Sequence, residues 1–480
     1  MKKMLKSSNI KAMATGFFMV MATFQTVASG SITLSVSQLP NFRGVYPGNF
    51  SDVQFYYVQG GSLTQPLQIS VVGDFMISLN CHVGYSSTVS INPSGGNVQN
   101  TRVFVRFFPQ GLGAKNGSIT HSSGAAPVRT VSISGSGIGS TIPIGYYSTA
   151  TGSGPQLKTQ LHNIINNHTM LSYSSLWEHF EQTDATFSGQ VWDMYSDIPC
   201  QEPPYIFNFG LPHQDPGSGG TTEGQHFNRE HSFPRSWFGA SSSHPMDSDL
   251  FHIWPVDKRV NSQRANWPYG MVNNPNWSSL NGGKRGPNVL AGYSGTSFEP
   301  INAYKGDIAR GFLYVVTRYQ NEIVDWNFDV SGTAMLDNQT FPGFKPWALD
   351  MLRQWHQTDP VSQKEILRNH QIYLLQGNRN PFIDHPEFVE RVWSQTSSIN
   401  ESQIVILEVF PNPAIDWIVI NSTLSVFSLE IFSSCGKLVA SHPNANGNNP
   451  ISIAALSAGV YYLVARSKQE TERARLIVVN

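Results

Sequence analysis

The chain has 480 residues, a formal net charge of −1 and 13% charged residues. That length outgrows a single hydrophobic core, so two or three domains are expected. The near-neutral charge excludes a basic nucleic-acid coat and an acidic solvating tail. Low charge with many short β-type runs fits an exported, β-rich protein better than a helical cytoplasmic one.

At the N-terminus, Lys2, Lys3, Lys6 and Lys11 lead into an apolar run, Ala12 to Val27, followed by the small residues Ala28, Ser29 and Gly30. This is the layout of a secretory signal peptide over residues 1–29. The run is short for a bilayer span and contains Thr and Gln, so cleavage is expected rather than anchoring. Residues 31–140 read as short alternating strands, among them DVQFYYVQG, LQISVVG, TRVFVRFFP and RTVSISGSG, bounded by turn residues. Regular spacing of this kind predicts an all-β sandwich. With VRFFPQGLGAKNGSITHSS (Val105 to Ser123) as its most recognisable part, the region resembles the immunoglobulin-like modules of secreted bacterial proteins. It carries no cluster of acids, histidines or nucleophiles, so a spacer or adhesive role is expected.

SGSGIGSTIPIG (Ser134 to Gly145) is read as a linker. Helical periodicity follows at Leu157, Leu161, Ile164 and Ile165. Further helices are expected around Ile308 to Tyr319, Trp347 to Gln357 and Val361 to Gln376, the last started at Asp359-Pro360 and stopped at Gly377. Residues 404–480 return to β-type runs. Cys81, Cys200 and Cys435 fall in three different predicted domains, so no disulfide within a domain is expected.

The chemistry concentrates in NREHSFPRSWFG (Asn228 to Gly239) and DLFHIWPVDKRVNSQRANWPYG (Asp249 to Gly270). Glu230 precedes His231, and Asn261 lies three residues before Arg264. Carboxylate and amide oxygens suit a hard cation such as Mg²⁺. A neutral imidazole takes a proton from water near pH 7, and a guanidinium offsets charge on phosphate oxygens. Pro255 is read as opening a short helix, with Asp257, Asn261 and Arg264 on one face. Arg229, Arg235, Lys258, Arg259, Arg264, Lys284 and Arg285 surround these blocks, a density that fits phosphate contacts without base reading.

These two blocks resemble the bacterial endonuclease I family, which is similar to the wider ββα-metal (His-Me finger) nucleases. YYSTATGSGPQLKTQLHNII, VWDMYSDIP, KGDIARGFLYVVTRY and RNHQIYLLQGNRNPFIDHPEFVERVW extend the likeness over residues 146–395. The PNP turn, the CGK turn and AGVYYLVAR make residues 404–480 resemble the C-terminal sorting domain of type IX secretion. The resemblance implies a multidomain chain: an all-β sandwich, a mixed α+β ββα-metal nuclease domain and a small all-β sorting domain. It implies a secreted or surface-exposed monomer that passes through the periplasm and the type IX machinery. It also implies endonuclease activity on DNA, with RNA as a further substrate, low sequence specificity and 5′-phosphate products. His231 is then the general base, Glu230 and Asn261 hold Mg²⁺ (or Mn²⁺ or Ca²⁺), and Arg264 stabilises the transition state or grips the product phosphate. Asp249, His252, Arg229, Arg235, Asp307 and Arg310 are read as supporting or phosphate-binding residues. For Asp307 and Arg310 a buried ion pair that holds the fold is at least an equal reading. Disulfides of the better-known periplasmic members are not expected here.

Two other readings remain at this stage. His213, His226, His231, His244 and His252 crowd one region and would suit a zinc hydrolase, but no H-E-x-x-H pair occurs. A non-enzymatic adhesin would use the β-modules and leave the Glu-His and Asn-x-x-Arg blocks unexplained.

Overall fold

Alternation of buried and exposed side chains builds residues 31–137 into nine strands: β1 (Ser31–Leu34), β2 (Gly44–Val45), β3 (Gln54–Gly61), β4 (Leu67–Val72), β5 (Phe75–Ser78), β6 (Thr88–Ile91), β7 (Val98–Phe107), β8 (Gly113–Ser122) and β9 (Arg129–Gly137). They form two sheets, β1-β3-β7-β5 and β2-β9-β8-β4-β6. The period of two puts Leu67, Ile69 and Val71 of one sheet into a shared core with Val103, Val105 and Phe107 of the other. The expected sandwich is therefore present. This computed structural model describes residues 30–239, 244–326, 329–394, 407–421, 427–433, 437–446, 449–467 and 471–479. The signal-peptide segment and Cys435 lie outside the described residues.

The middle region is helical around a small β-element. Helices α1 (Gly154–Ile165) and α2 (Leu176–Thr183) lead to strands β10 (Phe227–His231) and β11 (Ile253–Asp257) and helix α3 (Lys258–Arg264). A three-stranded sheet follows, β12 (Trp277–Ser278), β13 (Lys284–Pro287) and β14 (Thr296–Glu299). Then come α4 (Lys305–Arg318), α5 (Val330–Met335), α6 (Pro346–Thr358), α7 (Gln363–Gln376), α8 (Pro381–Asp384) and α9 (Phe388–Trp393). Every residue of α4 is buried, so this helix is the centre of the core, with α1, α6 and α8 packed on it. Helix α7 stops where expected, at Gly377 with φ of 81°, a left-handed cap that glycine adopts without strain. Its start differs: the Ser362–Glu365 capping box sets it, three residues beyond the expected Asp359 signal.

One expectation is corrected, and one pairing was not foreseen. First, Ser134 to Gly137 belong to β9, and the segment after them is tied down: Ile138 N donates to Val45 O (2.9 Å) and Arg379 Nη1 to Thr141 O (3.3 Å). The stretch is thus not a free linker, and the described residues up to Ser394 form one compact unit. Second, Cys81 of the sandwich is disulfide-bonded to Cys200 of the helical region, across the predicted domains, with Cα atoms 6.0 Å apart and a sequence separation of 119. Arg102 Nη1 reinforces this seam by donating to Cys200 O (2.8 Å), Gln363 Nε2 donates to Gly44 O (2.7 Å), and the Phe42 and Phe187 rings lie 5.8 Å apart.

The second unit begins at Gln395 and is described on its own. Its strands are β15 (Glu408–Phe410), β16 (Trp417–Asn421), β17 (Phe427–Ser433), β18 (Leu438–Ala445), β19 (Ile451–Ser452), β20 (Gly459–Arg466) and β21 (Thr471–Val478). They make two antiparallel sheets, β15-β16-β19 and β18-β17-β20-β21, over a core that includes Ile418, Ile420, Leu429, Ile431, Leu463 and Leu476. Among the described residues no helix is long and apolar enough to cross a membrane.

Closing a loop of 119 residues restricts the unfolded chain strongly. The Cys81→Ser/Cys200→Ser double variant is expected to lose about 2–5 kcal/mol in a denaturant melt, and a proteolytic digest of the wild type should yield a Cys81–Cys200 cross-linked peptide that reduction separates.

Candidate active site

β10 and β11 pair antiparallel, with Glu230 opposite Trp254 and His231 opposite Ile253, and α3 follows at once. The helix starts at Lys258 because the Asp257 carboxylate accepts from Val260 N (2.9 Å) as its N-cap. Pro255 therefore lies inside β11, opposite Arg229, and does not open the helix as expected. In a two-stranded sheet each strand has a free edge, so the missing N–H of proline is tolerated.

Strand alternation sorts the NREH block. Asn228 and Glu230 share the face of β10 that meets α3, while Arg229 and His231 share the other. On the first face, Glu230 is buried and accepts from Tyr195 Oη (3.1 Å), whose hydroxyl also bonds the Tyr269 hydroxyl (2.8 Å). Burial pushes the Glu230 carboxyl up to about 7, against the pull of Arg264 and the two tyrosines. A divalent charge beside it would keep it ionised. Asn261 Nδ2 donates to Asn228 Oδ1 (2.8 Å), which commits the amide nitrogen and turns the other end of the group, Oδ1, into the available acceptor. A carboxylate oxygen and an amide oxygen on one face fit a hard divalent cation.

Arg264 departs from its expected place. It is 1% exposed, and its donors go to backbone: Nη1 to His231 O (3.1 Å) and Ala265 O (3.2 Å), Nη2 to Ser232 O. Nε lies 3.5 Å from Glu230 Oε1, and the guanidinium sits 4.6 Å over the Tyr269 ring. This arginine faces the protein, so its geometry suits holding the strand end rather than gripping phosphate.

On the other face, His231 Nε2 donates to Asp247 O (3.2 Å). That bond selects the Nε2–H tautomer and leaves the lone pair on Nδ1, for which no partner is recorded among the described residues. Burial, with His252 beside it, holds the imidazole pKa well below its usual value, so the ring is neutral at pH 7. The ring stacks on Tyr173 at 5.8 Å. Arg229 is sandwiched between Tyr173 (3.7 Å) and Trp177 (4.4 Å) and donates to Tyr173 O (2.6 Å). Arg235, with a side chain 43% exposed, pairs with Asp247 Oδ1 at 2.6 Å.

The remaining candidates are interior. Asp249 accepts from the Tyr314 and Tyr319 hydroxyls (2.9 Å each) and from Gln376 Nε2 (3.0 Å). His252 donates to Met246 O (2.9 Å), and its ring lies 5.5 Å from that of His231. Both are buried, and His252 lies against His231. Arg310 binds Glu365 through two hydrogen bonds (2.5 and 2.8 Å), with Asp307 at 4.0 Å, all buried. The pair Asp307 and Arg310 thus ties α4 to α7, as the buried ion-pair reading expected, and stands away from a phosphate-binding role.

Sequence reasoning missed Asn228, Asp247, Tyr173, Tyr195 and Tyr269. Asn228 and Tyr269 stand inside the two chemical blocks and Tyr195 inside the quoted VWDMYSDIP; Asp247 and Tyr173 come from segments that carry no such signal. The zinc reading gains no ligand set. The rings of His213, His226, His244 and His252 are each bonded to separate partners. Among the described residues, the one group with ligand spacing is Cys81, His82 and Cys200, whose sulfurs are joined to each other.

Comparison with known proteins places the region that holds these residues in a known family. Residues 153–387 match the Endonuclease I family model, and residues 408–479 match the secretion system C-terminal sorting domain. The chain is 34% identical over 253 residues to an extracellular ribonuclease of Bacillus amyloliquefaciens, covering 52% of this chain and 78% of that one. It is 33% identical, with the same coverage, to an extracellular ribonuclease of Bacillus subtilis (strain 168). An extracellular deoxyribonuclease of Aeromonas hydrophila is 24% identical over 140 residues, 29% of this chain and 50% of that one. The protein is thus an extracellular nuclease with a type IX secretion sorting domain. More specifically, it belongs to the endonuclease I family, whose nucleases are metal-dependent.

Removing Arg310 would leave Glu365 buried without its partner. Arg310→Met is expected to cost about 3–5 kcal/mol in a denaturant melt, while the turnover of the fraction that remains folded is unchanged; a selective loss of turnover would return Arg310 to the active site.

Proposed function

We propose that this protein hydrolyses phosphodiester bonds of DNA, and also of RNA, with little sequence preference, by a one-metal mechanism that leaves 5′-phosphate ends. The observation that carries this reading is the bond from His231 Nε2 to the Asp247 carbonyl, which fixes an imidazole with a lone pair on Nδ1 next to a buried carboxylate. His231 Nδ1 takes a proton from water as the oxygen attacks phosphorus; the P–O3′ bond breaks and the 3′-oxygen leaves as a hydroxyl after protonation from solvent. A divalent cation held by Glu230 and Asn261, Mg²⁺ in our reading, with Mn²⁺ and Ca²⁺ sharing its oxygen preference, would polarise the phosphate and offset charge on the leaving oxygen. In-line displacement needs attacking and leaving oxygens on opposite sides of phosphorus.

Arg229 and Arg235 stand on the His231 side, both partly exposed, and we assign the phosphate charge to them. Arg264 becomes a positioning residue for the strand end. Phosphate contacts carry no base information, which supports low sequence specificity. Relatives named both ribonuclease and deoxyribonuclease support both substrates.

Supercoiled plasmid nicking by the mature protein should require a divalent metal and stop with EDTA. His231→Ala should lower the rate by about 10²- to 10⁴-fold while still binding Mn²⁺ in a calorimetric titration. Glu230→Gln should lose both. Equal rates for His231→Ala and wild type would remove His231 as the base.

A further inference from the structure

Beyond Arg264 the chain leaves α3 through Ala265, at φ of 49°, and Trp267 N donates to Arg264 O (3.2 Å). This turn delivers the Trp267 indole, 36% exposed, to the edge of a cavity of about 320 Å³. Gly292, Tyr293, Ser331, Thr333, Ala334 and Lys345 complete its wall, and no acidic side chain lines it. The aromatic wall is fixed. Tyr293 stacks on Trp347 (5.2 Å, 11° between planes) and its hydroxyl donates to Thr296 O (3.1 Å). Trp347 Nε1 donates to Ala334 O (2.9 Å). Gly292 has φ of 100°, and a Cβ there would lie 2.9 Å from Trp347, so the loop can close over the ring stack only with glycine. Lys345 is exposed and has no carboxylate partner among the described residues.

An exposed indole, a rigid aromatic wall and an unpaired ammonium suit a ligand that is flat, aromatic and anionic. From Asn261 to Trp267 the path is one helical turn and one tight turn, on the order of 10 Å. A substrate strand that lies across β10 and α3 would pass this cavity within a few nucleotides. We propose that the cavity is a base subsite: it takes an unpaired nucleobase of the substrate strand against Trp267 and Tyr293, with Lys345 on an adjoining phosphate. The proposal rests on the nuclease reading and adds a substrate class to it. Bases inside a duplex are stacked and paired and cannot enter, so single-stranded or locally melted nucleic acid is preferred over intact duplex.

The test is steady-state cleavage of a fluorescent 12-nucleotide single strand, the matching duplex and a dinucleotide, using the mature full-length enzyme with Mg²⁺. One base stacked on an aromatic ring carries a factor of roughly 5 to 150 in affinity. Trp267→Ala and Lys345→Ala are each expected to raise KM on the single strand, about tenfold for the tryptophan, with kcat and the dinucleotide rate unchanged. Trp267→Phe should recover most of the loss, and wild type should show the lower KM on single strand than on duplex. An unchanged single-strand KM in Trp267→Ala, with an unchanged Tm, would overturn the subsite. So would a loss on the dinucleotide as large as that on the 12-mer, since that would make Trp267 a support of the active site. A wild-type enzyme that cleaves no nucleic acid would overturn the nuclease reading itself, a separate result.

Discussion

At the junction of β10 and α3, the Arg264 guanidinium holds the carbonyls of His231 and Ser232, lies beside the Glu230 carboxylate and covers the Tyr269 ring. A charge with 1% exposure is held by two strand-end carbonyls, a carboxylate 3.5 Å away and an aromatic face. The strand end, the helix and the acid are therefore bound to one point. Glu230 depends on it twice: the arginine offsets the cost of burying a carboxylate, and Tyr195 and Tyr269 complete the shell that keeps the group in one position. A metal ligand held this way loses little freedom when it binds.

Behind that junction stands a scaffold of buried polar contacts. Asp249 gathers the hydroxyls of Tyr314 and Tyr319 from the end of α4 and the amide of Gln376 from α7. Arg368 of α7 reaches Asp184 (2.7 Å) and donates to Leu250 O and Ile253 O (2.8 and 2.9 Å), which places the loop that leads into β11. The position of His231 thus follows from helices far from it in sequence. Its tautomer is set by one carbonyl, that of Asp247, whose side chain also orders Arg235.

Much of this was legible in the chain. The period of two located the sandwich strands, and the 3.6-residue period located α1, α4, α6 and α7, because burial imposes both patterns directly. The Glu-His and Asn-x-x-Arg blocks marked the ββα unit. What periodicity cannot carry is which way a long side chain turns. Asn261 and Arg264 share a helix face as expected, yet Arg264 turns inward because two strand-end carbonyls and Glu230 wait there, and those are set by tertiary packing. The same limit explains Pro255, where a residue common at helix starts lies in a strand because Asp257 supplies a stronger start. Cys81 and Cys200 looked unpaired because each was placed in its own domain; only the packing of sandwich on helices brings them together.

That seam has a mechanical consequence. The segment after β9 is the covalent path between sandwich and helical region, and the Cys81–Cys200 bond is a second one. A protease that cut the chain between residues 138 and 145 would release nothing. The two pieces would stay one particle, held by the disulfide, by Arg102 on Cys200 O and by Gln363 on Gly44 O. For an enzyme that works outside the cell among other hydrolases, a single nick at that crossing would leave its architecture whole.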